Sequence, residues 1–431
     1  MGRSDMATVT DSSPRVRPRL AWLRLNARAA LVVLAVFLST RIMLLLAVFL
    51  SSAAIPMPSS TNGYASPDNL LLDGLIRHDS WWYVNIAEHG YTMGDLATGQ
   101  QGTVTFFPLY PLLVKLVAGL TGDVFVAGVL VSNLAFLAAL GFLYGLVRRE
   151  YDDETAARAA LYLAAAPSTI FCAAMYTESL FIALVCATFY FAHRRMWELA
   201  AAAGALAAAT RNTGVLMAVV IALEGMSQQG MRLRPERLLG PTPAATARIW
   251  ADHLRRQFGI ALASWRSLLA AAYVAIGLLL YMAFLQLTFG DPLGFIHAQA
   301  TWGRSTSATG ITKIFSNVVT NLNLGPNPWA GQLNTLTVLN VLSTVGFLPL
   351  VVMCAFKLRP AYAVYTALTF FVPLSTGTVG SMTRYVLMLV PCFVLLAVWG
   401  RRSWVDRLVV AIFLPLTTYF AILFSHWYFM G

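Results

Sequence analysis

The chain has 431 residues, of which 58% are hydrophobic and only 11% are charged, and its mean hydropathy is +0.67. A water-soluble domain of this length does not need so much apolar surface, so the composition indicates a polytopic membrane protein. The net charge of +11 does not indicate nucleic acid, because the basic residues are spread over short loops between apolar segments. The sequence therefore predicts an all-α protein that crosses the membrane several times and binds no nucleic acid.

The apolar segments, taken in chain order, predict about eleven transmembrane helices. Residues 1-28 form a basic cytoplasmic tail, and residues 29-428 form a single transmembrane domain. The first apolar run, at 29–53, is too long for a cleaved signal sequence, so we expect a retained helix. The other expected spans are 124–147, 159–174, 177–193, 198–211, 213–225, 267–289, 336–356, 361–377, 384–400 and 407–428.

Three longer loops separate these helices, at residues 54-123, 226-266 and 290-335. The first loop contains the segment 106–120, which is apolar but short and has two prolines. Such a segment predicts one or two interfacial or re-entrant helices rather than a full span.

The basic residues predict the orientation of the spans. If the N-terminus is cytoplasmic and the sides alternate, basic residues on the cytoplasmic side outnumber those outside by about four to one. Loop 226-266 is then cytoplasmic, and loops 54-123 and 290-335 are extracytoplasmic. We therefore expect the polar groups suited to chemistry on the outer face of the cell membrane.

The first exterior loop concentrates ionisable and aromatic residues in an otherwise apolar chain. The ionisable ones are Arg77, His78, Asp79, Glu88 and His89. Asp79 is placed to begin a short helix on which Tyr83 and Ala87 share its face. An aromatic helix of this kind is favoured at the lipid–water boundary. Asp79 can then be either a helix N-cap or a general base that takes a proton from a hydroxyl group.

A second cluster lies in the exterior loop 290-335. Asp291 and Pro292 are typical of a helix start, and on that helix His297, Thr301 and Arg304 would share a face. Arg304 follows Trp302, so it can be either an interfacial anchor or a functional cation.

Four further charged residues lie at span ends or inside spans. Arg384 sits at the edge of an apolar helix, where it needs a partner, and a phosphate is a natural one. Glu178 begins a span, where a carboxylate suits the helix dipole. Arg211 lies at the tip of a predicted hairpin, where it can contact a head group or merely turn the chain. Arg41 lies within the first span, as a buried ion pair or a functional group.

The four cysteines lie inside apolar runs and have no metal-binding spacing, so they predict small core residues. No cluster of carboxylates typical of a metal site accompanies Asp79. We therefore expect no catalytic metal and no other cofactor.

These motifs together resemble those of PIG-V-type mannosyltransferases of the GT-C superfamily. The matching segments are 78–91, 106–111, 167–181, 211–214, 299–304 and 381–385, in the order that the family uses. The short loops and the Arg- and Ala-rich composition are typical of a bacterial member. The resemblance implies a GT-C-like fold and an enzyme that takes mannose from a polyprenyl-phosphate donor on the extracytoplasmic side.

The resemblance also implies roles for individual residues. Asp79 matches the catalytic aspartate of the family, and a single carboxylate base suffices because a polyprenyl phosphate is already a good leaving group. The displacement would invert the sugar carbon and pass mannose to a lipid or glycan acceptor. The residues expected to hold the departing phosphate are Arg304, Arg384, Arg211 and His297. The residues expected around the acceptor are His78, Tyr83, Glu88, His89, Glu178, Gln299 and Tyr385.

Two other functions are compatible with a polytopic chain. A transporter or flippase of lipid-linked sugars would place charges along a path through the membrane, whereas here they cluster on one side. A non-catalytic scaffold would not require Asp79 and Arg384 at their positions.

Overall fold

The computed structural model describes residues 27–57, 65–66, 68–95, 98–232, 241–302, 310–322 and 334–428. Within these ranges the chain is helical and has no β-strand, only an isolated bridge between Asp95 and Gln100. The helices are α1 (Ala27–Ala54), α2 (Leu70–Asp73), α3 (Ser80–His89), α4 (Leu109–Thr121), α5 (Val124–Glu150), α6 (Asp153–Ala164), α7 (Glu178–His193), α8 (Trp197–Thr210), α9 (Leu216–Gln228), α10 (Pro243–Ala263), α11 (Trp265–Tyr273), α12 (Ala275–Phe289), α13 (Gly294–His297), α14 (Gly310–Leu322), α15 (Thr335–Lys357), α16 (Pro360–Leu374), α17 (Met382–Tyr385), α18 (Val390–Trp399) and α19 (Ser403–Ser425). The predicted all-α class is confirmed.

Five helical segments in the described part of the chain are long and apolar enough to cross a membrane. They are α1, α5, α11 together with α12, α15 and α19. A sixth candidate is a broken one, in which Met382–Met388 and Val390–Trp399 meet at an angle of 70°. The chain is therefore a multi-pass membrane protein.

The expected number of eleven spans is not confirmed, because several of the expected spans are short helices. The longest of these, α7, has 16 residues and is about 24 Å long, against about 30 Å of bilayer hydrocarbon. The expected span at 159–174 is wrong. Its helix, α6, ends at Ala164, shortly before Pro167, and a 3₁₀ turn at Thr169–Cys172 follows.

Small residues allow the helices at the centre to pack closely. Helix α7 packs against both α5 and α8, and α12 crosses α8 at Gly277. A Cβ at Gly277 would lie 1.9 Å from the carbonyl oxygen of Ala205, so the two backbones are nearly in contact. Close approach through glycine and alanine is the usual packing mode where lipid surrounds the helices.

The turn before α3 is fixed by a fully buried arginine. The guanidinium of Arg77 pairs with the carboxylate of Asp73 and donates a hydrogen bond of 2.9 Å to the carbonyl oxygen of Ser425, at the end of α19. The next residue, His78, has a φ of 51°, in the sparsely populated left-handed region. This anchored, strained turn sets the position of Asp79.

Arg41 is buried in α1 and does not form an ion pair with any described residue. Its guanidinium lies over the ring of Phe136, 4.3 Å from the centroid, and more distantly over Phe37. A cation–π contact therefore takes the place of the ion pair, which was one of the two interpretations that the sequence left open.

Candidate active site

The centre of the candidate site is an ion-pair network that joins four distant parts of the chain. In α17, the Arg384 guanidinium lies 2.6 Å from Oδ2 of Asp79 and 2.8 Å from Oε1 of Glu178. The Arg211 guanidinium, between α8 and α9, lies 2.8 Å from the same Glu178 oxygen. Arg211 also donates a hydrogen bond of 3.0 Å to the hydroxyl of Thr177.

The network is buried and its formal charges balance. The side chain of Glu178 is inaccessible to solvent, and those of Arg384, Asp79 and Arg211 are exposed by 8%, 15% and 16%. Charges in such a setting need partners, because burial removes their hydration. The sequence suggested a phosphate as the partner of Arg384, whereas the structure gives it two carboxylates.

Asp79 directly precedes α3, as predicted, but its side chain does not cap the helix. Its backbone N–H donates to the hydroxyl oxygen of Tyr176, and that hydroxyl donates to the carbonyl oxygen of Arg77, each at 3.1 Å. The main chain is thus held by Tyr176, and the carboxylate points to Arg384. Asp79 therefore holds the N-cap position without capping the helix through its side chain, and its carboxylate contacts Arg384 instead.

Two adjoining cavities open at this network. The smaller, of about 260 Å³, is lined by Asp79, Thr105, Phe106, Gln299, Trp302, Ser381, Arg384 and Tyr385. The larger, of about 760 Å³, is lined by Arg211, Asn212, Thr213, Leu278, Phe295, Ile296, His297, Gln299, Ala300, Val372, Pro373, Ser375, Thr376 and Tyr385. Gln299 and Tyr385 line both cavities, so the two spaces meet at these side chains.

Aromatic rings form one wall of the smaller cavity. The ring of Trp302 meets those of Trp82 and Phe106 edge to face, with centroids 5.3 and 5.8 Å away. Behind them, Tyr83 is buried against Phe106, and its hydroxyl lies 3.4 Å from that of Thr177. Tyr83 therefore supports the wall from inside the protein.

His297 stands at the rim of the larger cavity. Its Nδ1 lies 2.7 Å from Oδ2 of Asp291, and this bond lowers the pKa of the Asp291 carboxyl. The histidine side chain is 55% exposed, so it can reach a ligand from the solvent side. The segment from 294 to 302 is a short α-helix followed by a 3₁₀ turn, not the single helix that the sequence suggested.

Three of the predicted residues lie away from the cavities. His78 packs edge to face against the rings of Phe424 and Trp427, and burial lowers its pKa to about 4. Glu88 and His89 are exposed at the end of α3 and do not line either cavity. Arg304, the fourth expected phosphate ligand, lies outside the described residues.

Sequence reasoning did not assign a role to Thr105 or foresee the role of Glu178 as a bridge between two arginines. A threonine beside an apolar motif has no distinguishing signal, and a carboxylate at a helix start is already explained by the helix dipole. Among the described residues, no group of three or more His, Cys, Asp or Glu side chains is placed to hold a metal ion.

Sequence comparison relates this arrangement to known proteins. Residues 105–231 match the family model described as dolichyl-phosphate-mannose-protein mannosyltransferase. The chain is also 30% identical over 171 residues to GPI mannosyltransferase 2 of Drosophila pseudoobscura pseudoobscura. The chain is similar to mannosyltransferases over these segments. The resemblance that the motifs indicated is thereby confirmed.

The matches to these mannosyltransferases are partial. The alignment with the Drosophila protein covers 33% of this chain and 36% of that protein, so the chain aligns with about a third of its relative. The family match includes Thr105, Glu178 and Arg211 but ends before Arg384 and begins after Asp79.

Solved structures resemble the chain over most of its length, at low identity. The oligosaccharyltransferase of Archaeoglobus fulgidus in the apo form gives a TM-score of 0.47 at 14% identity, covering 92% of this chain and 56% of that one. ArnT from Cupriavidus metallidurans, bound to undecaprenyl phosphate, also gives 0.47 at 14% identity, covering 91% and 76%.

Proposed function

We propose that the protein is a membrane mannosyltransferase that uses a polyprenyl-phosphate-mannose donor. It transfers the sugar to a lipid or glycan acceptor at the extracytoplasmic face, with inversion. The observation that carries the proposal is the contact of 2.6 Å between Arg384 and Asp79 in the wall of a cavity that opens onto a second, cation-lined cavity. The descriptions of the matched family and relative, both mannosyltransferases, support the sugar.

Asp79 acts as the general base in this proposal. Its carboxylate accepts the proton of an acceptor hydroxyl as that oxygen attacks the anomeric carbon of mannose. The bond between this carbon and the phosphate oxygen breaks, and the phosphate leaves with the electron pair. Arg384 orients the carboxylate through the contact of 2.6 Å between its guanidinium and Oδ2 of Asp79.

The donor phosphate would lie in the larger cavity, beside Arg211 and His297. Arg211 binds Thr177 and Glu178 through one nitrogen only, and its other two nitrogens make no hydrogen bond to the described residues. Because the charges of the network already balance, a phosphate here would be held by hydrogen bonds from these free donors and not by excess positive charge. That Arg304 also binds the donor phosphate stays a prediction from the sequence.

The larger cavity also offers space for the start of a prenyl chain. Most of its lining beyond Arg211 and His297 is apolar, including Leu278, Phe295 and Val372. A phosphate with an isoprenoid tail combines the two chemistries that this wall presents.

Replacing Asp79 by Asn tests the proposal. The amide keeps the shape of the side chain but cannot accept the hydroxyl proton, so the rate of mannose transfer should fall about 100- to 10,000-fold. The assay measures transfer from radiolabelled polyprenyl-phosphate mannose in membranes that contain equal amounts of each variant.

The matched control is Asp68→Asn, which changes an exposed aspartate in the same loop and should leave transfer unchanged. Wild-type activity in the Asp79→Asn variant would refute the base assignment. Movement of the labelled lipid across the membrane without a new product would favour a transporter instead.

A further inference from the structure

Two residues that line the smaller cavity each have a side-chain polar atom with no hydrogen-bond partner among the described residues. These atoms are the hydroxyl oxygen of Thr105 and the indole nitrogen of Trp302, and both atoms are buried. Buried polar atoms in folded proteins nearly always have a partner, from the protein, from water or from a ligand. Two such atoms on residues that line one cavity beside Asp79 therefore indicate a ligand with matching polar groups.

Both atoms are held in place by their surroundings. Thr105 ends the 3₁₀ turn Thr103–Thr105, whose first two residues are fully buried. Trp302 ends the turn Ala298–Trp302, and its ring is fixed edge to face against Trp82 and Phe106. Groups fixed in this way lose little freedom when a ligand binds, which is the usual arrangement at a site that selects its ligand.

The chemistry of the lining defines the class of ligand. The indole of Trp302 can only donate, the carboxylate of Asp79 can only accept, and Thr105 and Gln299 can do both. A ligand that satisfies all four must both donate and accept in several directions, as the hydroxyls of one ring do. The wall formed by Trp302 and Phe106 suits the C–H edges of such a ring.

The size of the cavity points the same way. Its volume of about 260 Å³ is below the range of about 300–1,000 Å³ that is common for drug-sized ligands, so it suits one ring rather than a folded oligosaccharide. A serine or threonine in a polypeptide offers one hydroxyl, and its flanking backbone needs an open cleft.

We propose that Thr105 and Trp302 are specificity-determining residues that hydrogen-bond a polyhydroxylated ring, a sugar or a cyclitol, which carries the attacking hydroxyl of the acceptor. This inference rests on the proposed function, because the base Asp79 lines the smaller cavity and must contact that hydroxyl. The acceptor is then a carbohydrate-type ring and not a hydroxyl amino acid of a protein.

The test combines two variants with an acceptor titration. Thr105→Val and Trp302→Phe each remove one hydrogen-bonding group and keep the shape of the side chain. Purified protein receives radiolabelled polyprenyl-phosphate mannose and increasing amounts of an extract of its native membranes. Each variant should raise the half-saturating amount of extract roughly tenfold and leave that of the donor unchanged.

Thr98→Val and Trp404→Phe are the matched controls, since both residues are exposed and outside the cavities. They should behave as the wild type. If Thr105→Val and Trp302→Phe also leave the half-saturating amount of extract unchanged, the two residues do not bind the acceptor and the inference is overturned.

The labelled product identifies the acceptor. Label that resists alkaline β-elimination, and that methylation analysis places on a sugar or on a cyclitol, supports the inference and distinguishes the two rings. Label released by β-elimination from serine or threonine overturns the inference but leaves the proposed transferase standing. Absence of any product with the wild type, as with Asp79→Asn, overturns the proposed function and this inference with it.

Discussion

Glu178 holds the charged residues of the site together. Its Oε1 atom accepts hydrogen bonds from Arg211 and from two nitrogens of Arg384, whereas Oε2 has no partner among the described residues. Without this carboxylate, two guanidinium groups in a buried position would share the single charge of Asp79. The structure therefore assigns Glu178 a larger role than the helix-dipole complement that its place in the sequence suggested.

Replacing Glu178 by Gln should destabilise the protein and impair transfer. Removal of one partner of a buried ion pair costs about 3–5 kcal/mol, because the other charge is left uncompensated. Thermal unfolding of the purified protein in detergent measures the loss. The exposed Glu198 of α8 provides the control Glu198→Gln. Equal unfolding temperatures for the two variants would show that the network does not need the charge of Glu178.

The sequence could predict which residues carry charge into the site but not how they pair. Asp79 and Arg384 stand out because charges are scarce in an apolar chain and costly near a membrane. Their contact joins residues 305 positions apart, so no local pattern reveals it. Thr105 was missed because an unsatisfied hydroxyl is a property of the folded surroundings and not of the sequence.

At the scale of elements, the α8–α9 hairpin delivers Arg211 to the network. The hairpin was expected from the distribution of basic residues, and its tip is tight because Gly214 lies against the backbone of α8. A Cβ at Gly214 would come within 2.2 Å of the carbonyl group of Ala207. The backbone would have to move to accept any side chain, and Arg211 would move with it.

Gly214→Ala should therefore lower the unfolding temperature, by the equivalent of about 1–3 kcal/mol, as overpacking usually does. It should also weaken mannose transfer, since Arg211 would move and its ion pair with Glu178 would be disturbed. Gly346→Ala is the matched control, because a Cβ at Gly346 would meet no atom within 4 Å. Identical unfolding temperatures for both variants would contradict the tight tip.

Hydropathy predicted most helices but not their lengths or breaks. The segment expected as one span at 384–400 is bent by 70°, where α18 begins with Pro391 near its first position. Arg384 lies in the first of the two helices, where its guanidinium contacts Asp79. Such a break cannot be predicted from apolar composition, because broken and continuous helices in lipid have the same hydropathy.

At the scale of the whole molecule, the proposal requires the two cavities to face the outside of the cell. The basic loops predict this orientation, with α3 outside and α10 in the cytoplasm. Glu88 on α3 and Asp252 on α10 are both exposed, so each can carry a reporter cysteine. The four native cysteines are buried, which keeps background labelling low.

A membrane-impermeant maleimide on intact cells should label Glu88→Cys but not Asp252→Cys. After the membrane is permeabilised, both should react, and the wild type should stay unlabelled throughout. Labelling of Asp252→Cys alone in intact cells would place Asp79 on the cytoplasmic side. The donor would then have to present its mannose in the inner leaflet, where nucleotide sugars are also available, and the physical reason for a lipid-linked donor would disappear.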